Sequence, residues 1–295
     1  MKVQSTPGDG GAMDATLFTK SRKADYWNDF YENPTTQFEH SMVLRRDFAH
    51  RQISAQVPKD ARILDLGCGA GVLSEKLLSS GFRVTSADYS EDMLELTRKR
   101  LAKGSNAPEA VVRADILDLP FDDASFDVIV CMGVFGYFDD VDRAISEVRR
   151  VLKPGGMFFM SIRNTYNLYL SDIGMLPFRL LRFAGKAIWS KVAGRRKSPV
   201  VANAGTASAK APPLRIEVHT DPRPVIDGIN QRGFSLVEFD GLGYGPLTFF
   251  GLDFLPGKLS MKLNDALDRY FRRSGLQTRT RWLADVSFYT FKRKD

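Results

Sequence analysis

The sequence predicts an α/β fold of three layers, with a mostly parallel seven-stranded sheet between helices. Seven short apolar runs recur at 63–66, 83–87, 110–113, 126–132, 157–162, 235–239 and 286–291. Amphipathic stretches at about 71–80, 91–103 and 140–152 separate the earlier runs. Apolar strands alternating with helices are the pattern of a parallel sheet covered on both faces. Pro154-Gly155-Gly156 reads as a turn from the third of these helices into the fifth strand.

Ahead of the alternation, residues 1–23 are polar, lack an apolar period and read as a flexible leader without the apolar core of a secretory signal. From Asp25 to Val57 the spacing of Tyr26, Trp27, Phe30 and Tyr31, and beyond Pro34 of Met42, Leu44, Phe48 and Ile53, is helical. Behind it, residues 164–197 read as helical and basic, and 198–213 as a mobile, almost uncharged loop. Thr220 or Asp221 can cap a helix that tolerates Pro222 in its first turn and runs to about Gln231, where Gly233 stops it. A basic helix at 258–273 precedes the closing strand. The expected organisation is a leader (1–23), N-terminal helices and core (24–163), a helical insert with its loop (164–213) and the rest of the same domain (214–295).

Composition narrows the function. At 295 residues, 43% hydrophobic and 26% charged, the chain can bury a sizeable core. Cys68 and Cys131 are its only cysteines, so a disulfide framework or zinc finger is not expected and a reducing cytoplasm fits. No apolar stretch reaches the roughly 20 residues of a membrane-spanning helix. The net charge of +7 is unevenly divided. Residues 1–162 carry 20 Lys and Arg against 24 Asp and Glu, whereas residues 163–295 carry 22 against 11. That asymmetry suggests an anionic partner for the C-terminal part; a solvated basic face is the alternative.

The strongest chemical signal is Asp65-Leu66-Gly67-Cys68-Gly69-Ala70-Gly71, a strand running into a glycine-rich turn that opens a helix. Glycines permit the tight turn and let a ligand lie against the backbone. A dinucleotide fingerprint would place its third glycine five residues after the first, at Val72. No Lys-Ser/Thr pair follows, which excludes a phosphate-cradling loop of the P-loop kind.

This stretch resembles motif I of the class I S-adenosylmethionine-dependent methyltransferases, a family with a Rossmann-like sheet. Three further segments resemble that family in order: Asp88 at the end of the second strand, Ala114-Asp115-Ile116 after the third, and Val151-Leu152-Lys153-Pro154-Gly155-Gly156 before the fifth. The resemblance implies that Asp65, Gly67, Cys68, Gly69 and Gly71 form the turn against S-adenosyl-L-methionine, or its product S-adenosyl-L-homocysteine. Asp65 braces that turn as much as it meets ligand, and Cys68 contributes its backbone. Asp88 would accept from the ribose hydroxyls, with Tyr89 and Met93 beside it. Asp115 would take the adenine amino group and Ile116 cover the ring. Met132, Tyr26 as an aromatic lid, and Arg46 (or Arg45) toward the methionine carboxylate complete the expected set.

The acceptor side is less legible. No Asp/Asn-Pro-Pro-Tyr/Phe follows strand four, so base amines of DNA are poorly supported. Candidate general bases are Tyr137 and His219, whereas His40 and His50 read as helix-surface residues. Cys131 reads as a buried strand end, no metal site is expected, and no nucleic-acid partner is expected. The activity implied is methyl transfer to a small, hydrophobic or lipid-like metabolite. The alternatives are an RNA or protein methyltransferase docking through the basic half, or a cofactor-binding scaffold without turnover. Within the insert, Arg179, Arg182 and Lys186 form a basic stripe beside a wide apolar face, so residues 174–197 should act as a lid or as a peripheral contact with a membrane surface.

Overall fold

A computed structural model of the chain describes residues 31–104, 106–137, 140–164, 222–244, 248–249, 252–253 and 255–295. The leader, Tyr26, the 174–197 stripe, the 198–213 loop and His219 lie outside the described residues.

Helix α1 (Gln37–Gln56) starts at a capping box: Thr36 accepts from the Glu39 amide, and the Glu39 carboxylate accepts from the Thr36 amide. The reciprocal pair satisfies donors that a helix start leaves without partners. The chain then alternates β1 (Arg62–Leu66), α2 (Val72–Ser79), β2 (Arg83–Asp88), α3 (Glu91–Leu101), β3 (Ala110–Arg113), β4 (Phe126–Met132), α4 (Val141–Val151) and β5 (Leu152–Arg163). After the undescribed segment come α5 (Pro222–Gln231), β6 (Phe234–Leu242), β7 (Thr248–Phe249), β8 (Leu252–Asp253), α6 (Gly257–Arg273), α7 (Gln277–Thr280), a 3₁₀ turn (Arg281–Leu283) and β9 (Val286–Arg293). The β7–β8 pair, α7 and the 3₁₀ turn are too short to leave a periodic signal in the sequence.

The main sheet has seven strands in the order β3-β2-β1-β4-β5-β9-β6. Strands β1 to β5 pair in parallel, and β9 runs antiparallel between β5 and β6. Strand alternation sends Leu64, Ile129, Phe158 and Phe291 to one face, where they pack with Ile145 and Val148 of α4 and Ile229 of α5. Ile63, Val84, Val130, Phe159 and Phe288 go to the other face, against Phe48 and Ile53 of α1 and Leu73 and Leu77 of α2. Two apolar faces covered by helices give the three layers.

The fifth strand begins earlier than the apolar run suggests. Leu152 already pairs with Phe126, and regular register resumes only at Val128 and Met157. Lys153-Pro154-Gly155-Gly156 is therefore a turn-like insertion within β5, with Gly155 at φ 73°, after a single pair at Leu152.

Candidate active site

The carboxyl ends of β1, β2 and β4 meet at the glycine loop, the crevice side at which open α/β sheets hold ligands. The amides of Gly67 and Cys68 both donate to the Ala87 carbonyl, at 2.8 and 3.0 Å, which ties the loop to β2. Gly67, Gly69 and Gly71 have φ of 73°, 54° and 73°, the left-handed region that favours glycine. A Cβ on Gly67 would collide with Val134, and one on Gly71 would lie 2.8 Å from the Thr97 methyl. At Gly69 a Cβ would meet nothing within 4 Å, so here the loop turns an open face outward. Helix α3 holds the loop from behind: Thr97 donates to the Gly69 carbonyl at 2.7 Å and Arg100 to the Ala70 carbonyl at 2.8 Å.

Two carboxylates bracket this loop differently. Asp65 is 2% exposed. Its Oδ2 accepts from Ser74 at 2.6 Å, and Ser74 in turn accepts from Ser86 at 2.8 Å. Burial, assisted by the nearby Asp88 charge and opposed by the Ser74 bond, pushes its carboxyl up to about 6. Asp65 thus braces the loop from beneath. Asp88 stands partly exposed at the end of β2. Its Oδ2 accepts from the Gly69 amide and its Oδ1 from the Ser90 amide, each at 2.9 Å. Burial raises its pKa against these two bonds. Each oxygen keeps acceptor capacity for a further donor.

Of the remaining expected residues, Tyr89 lies under the Arg113 guanidinium at 5.5 Å, and Met93 is buried with Met42, Ala70 and Val72. The Cys68 thiol lies 3.8 Å from Thr97 Oγ1, and its pKa is raised chiefly by burial. Asp115 is partly exposed and caps its own turn, accepting from the Leu117 amide at 2.9 Å. Ile116 is 8% exposed and joins the core under that turn. Met132 ends β4, and Tyr137 sits in the following turn, its amide donating to the Val134 carbonyl at 3.1 Å. Cys131 is fully buried and burial raises its thiol pKa, which gives a nucleophile no route to substrate.

The two arginines of α1 are resolved by their partners. Arg46 donates to Asp47 at 2.8 Å, and Asp47 also takes Lys76 at 2.7 Å. Arg46 is thus paired within the protein, through Asp47. Arg45 makes no ion pair among the described residues and lies against Gly133, where a Cβ would collide with its guanidinium. The different surroundings of these adjacent residues follow from the rotation of α1 against β4. His40 and His50 are not simple surface groups either. His40 contacts Asp265 and His50 contacts Ser80, both at 2.7 Å and partly buried.

A methyltransferase-domain family model matches residues 64–160. A demethylmenaquinone methyltransferase of Leptospira interrogans is 30% identical over 182 residues, 57% of this chain and 68% of that protein. The chain belongs to the class I S-adenosylmethionine-dependent methyltransferases. A demethylmenaquinone methyltransferase of Clavibacter sepedonicus is 42% identical over 123 residues, 38% of this chain and 49% of that protein. The chain thus spans about half the length of some curated relatives it matches. A methyltransferase solved with the Trm112 methyltransferase activator of Haloferax volcanii shares the fold, with a TM-score of 0.54 at 17% identity over 92% of this chain and 96% of that one. The cofactor of this methyltransferase is S-adenosylmethionine, as its family implies. Among the described residues no helix is long and apolar enough to cross a membrane, and no group of His, Cys, Asp and Glu could hold a metal ion.

Proposed function

We propose that this methyltransferase transfers a methyl group from S-adenosylmethionine to a small hydrophobic acceptor of the quinone-precursor kind. The observation that carries the acceptor class is the name shared by the relatives from Leptospira interrogans and Clavibacter sepedonicus, both demethylmenaquinone methyltransferases.

The residues present fit the cofactor. The open face at Gly69 leaves room for a ligand against the backbone, beside a carboxylate with unused acceptor capacity at Asp88. Asp88 would take the ribose hydroxyls, Asp115 the adenine amino group, and Arg45 the methionine carboxylate, which a guanidinium can hold through two parallel bonds. Gly67 and Gly71 would shape the loop, Met93 and Ile116 would back it from the core, and Tyr89 and Met132 would flank it. Bound S-adenosylmethionine supplies an electrophilic sulfonium methyl. The protein's part is to hold the acceptor in line with it, which removes much of the entropic barrier of a bimolecular step. Tyr137, in the turn after β4, is our candidate for taking a proton where the acceptor must lose one. The roles of Tyr26 and His219 are proposed on sequence alone.

The test measures S-adenosylhomocysteine release with a panel of demethylated quinone precursors, beside structured RNA and protein substrates. Turnover on the quinones is expected. Turnover confined to the macromolecules would overturn the acceptor class, and binding without turnover on any acceptor would support a scaffold. Asp88→Ala should lower cofactor affinity by about 10- to 150-fold, the scale of hydrogen bonds to a charged group. Unchanged calorimetric binding would remove Asp88 from the site.

A further inference from the structure

Helix α6 packs one face on the fold and leaves the other to solvent. On the inner face, Asp265 contacts His40 of α1 at 2.7 Å, Asp268 takes Arg272 at 2.7 Å, and Asn264 accepts from the Tyr244 amide at 2.6 Å. Phe271 packs on Tyr244, with centroids 4.7 Å apart. Both acidic residues of the helix are thereby engaged. The outer face carries Lys258, Lys262, Arg269 and Arg273, all exposed and without an ion pair among the described residues. Leu259 and Tyr270 stand among them, 51% and 60% exposed. Ala266, Arg269, Tyr270, Arg273 and Ser274 line a shallow open depression. From Lys258 to Arg273 the stripe extends about 22 Å.

We infer that this outer face of α6 docks the protein on an anionic lipid bilayer. Four cations without an ion pair among the described residues attract an anionic surface. Exposed Leu and Tyr between them suit an interface that is charged in its headgroups and apolar just beneath. Arg269 and Arg273, one turn apart on the rim of the depression, can share a lipid phosphodiester. A planar leaflet meets a convex helix along its whole length. Single-stranded nucleic acid is followed by grooves with several stacking rings, and here there is one. The stripe also starts beside the N-terminus of α1. A Cβ at Gly257 would lie 2.5 Å from the Thr35 carbonyl, just before α1, and α1 supplies Arg45 to the mouth of the crevice. The inference does not depend on which acceptor is methylated.

The experiment is co-sedimentation of the full chain with vesicles of phosphatidylcholine alone and of equimolar phosphatidylcholine and phosphatidylglycerol. The wild type should bind only the anionic vesicles, and added salt should release it, because exposed charges are screened over roughly 8 Å at physiological ionic strength. Each cation near such a surface contributes about a fivefold factor, so the variant Lys258→Gln/Lys262→Gln/Arg269→Gln/Arg273→Gln should bind roughly two to three orders of magnitude more weakly. A control with Lys103→Gln, Lys292→Gln and Lys294→Gln, cations away from α6, should keep most of the binding. Circular dichroism and S-adenosylhomocysteine affinity should match wild type in both variants, which separates lost docking from lost folding. Absence of wild-type binding at low salt would overturn the inference. So would equal binding by the α6 variant, which would place the contact elsewhere, or retention of structured RNA without vesicle binding. Failure of quinone turnover with intact vesicle binding would strike only the acceptor class.

Discussion

The two halves of the sheet differ in how some of their buried hydroxyls are held. Where β1, β2 and β4 run parallel, the polar groups gather at one edge and are coupled: Ser86 to Ser74, Ser74 to Asp65, and the Gly69 amide to Asp88. Where β5, β9 and β6 run antiparallel, the hydroxyls of Ser161, Ser287 and Thr290 are buried without a hydrogen-bond partner among the described residues. The same half leaves Leu236 and Val237 exposed on the edge strand. A buried polar group is tolerated cheaply only when it is bonded. The parallel half therefore holds its polar residues for shape at the crevice. The antiparallel half mixes bonded groups, Asp240 and Asn164 among them, with three hydroxyls that have no partner among the described residues.

The glycine loop should break this comparison first. Gly67→Ala and Gly71→Ala combine left-handed backbone strain with a collision against Val134 or Thr97. About 2–4 kcal/mol of stability should be lost. Gly69→Ala has the strain and no collision, so it should lose about 1–2 kcal/mol. Its added methyl, however, enters the space proposed for the ligand. Urea unfolding with calorimetry of S-adenosylhomocysteine separates the two effects. Equal stability losses at 69 and 71, with ligand affinity intact at 69, would mean that Gly69 faces nothing that matters.

How much of this was legible follows from range. The strands, the main helices and their order came from periodicity, and the spacing of Gly67, Gly69 and Gly71 marked the loop, because both are local properties. The turn at Pro154-Gly155-Gly156 is legible, but the pair formed ahead of it by Leu152 shows only against the neighbouring β4. The different partners of Arg45 and Arg46 depend on the orientation of α1 on the sheet. The bracing role of Asp65 is implied by the family resemblance, but its partner Ser74, nine residues away in sequence and 2.6 Å away in space, is not. The capping box at Thr36 and Glu39 was readable but overlooked inside a longer apolar period. The sequence marks α6 as a basic helix, and the inward contacts of Asp265 and Asp268, which define its outer stripe, depend on tertiary packing.

Asp65 sharpens the comparison through pH. Its carboxyl titrates at about 6 in the folded chain, well above the usual carboxylate range, because it is buried. The folded state therefore binds a proton more tightly than the unfolded one. That contribution is fully present below about pH 4 and lost as pH rises through about 6, with a total of about 3 kcal/mol. Asp65→Asn, whose carbonyl can still accept from Ser74, should remove this decline. Urea midpoints measured across that window check it; a wild-type profile no steeper than that of Asp65→Asn would show that the buried carboxyl is not protonated on folding.

The smallest effect tests the antiparallel half. Thr290 on β9 is fully buried, beside Phe159 on one side and Glu238 on the other, and its Oγ1 has no hydrogen-bond partner among the described residues. Thr290→Val keeps the β-branched shape and replaces the hydroxyl with a methyl. Nothing among the described residues loses a bond, and the desolvation penalty of an unmade hydrogen bond disappears. The variant should be neutral or more stable by up to about 1 kcal/mol. Ser74→Ala makes the matching change in the parallel half, but it leaves the Asp65 carboxylate without its donor and should lose about 1–3 kcal/mol. Urea unfolding of the pair at one pH compares the two directly. If Thr290→Val lost as much as Ser74→Ala, its hydroxyl would have a partner in the folded protein, and the contrast between the halves would fail at β9.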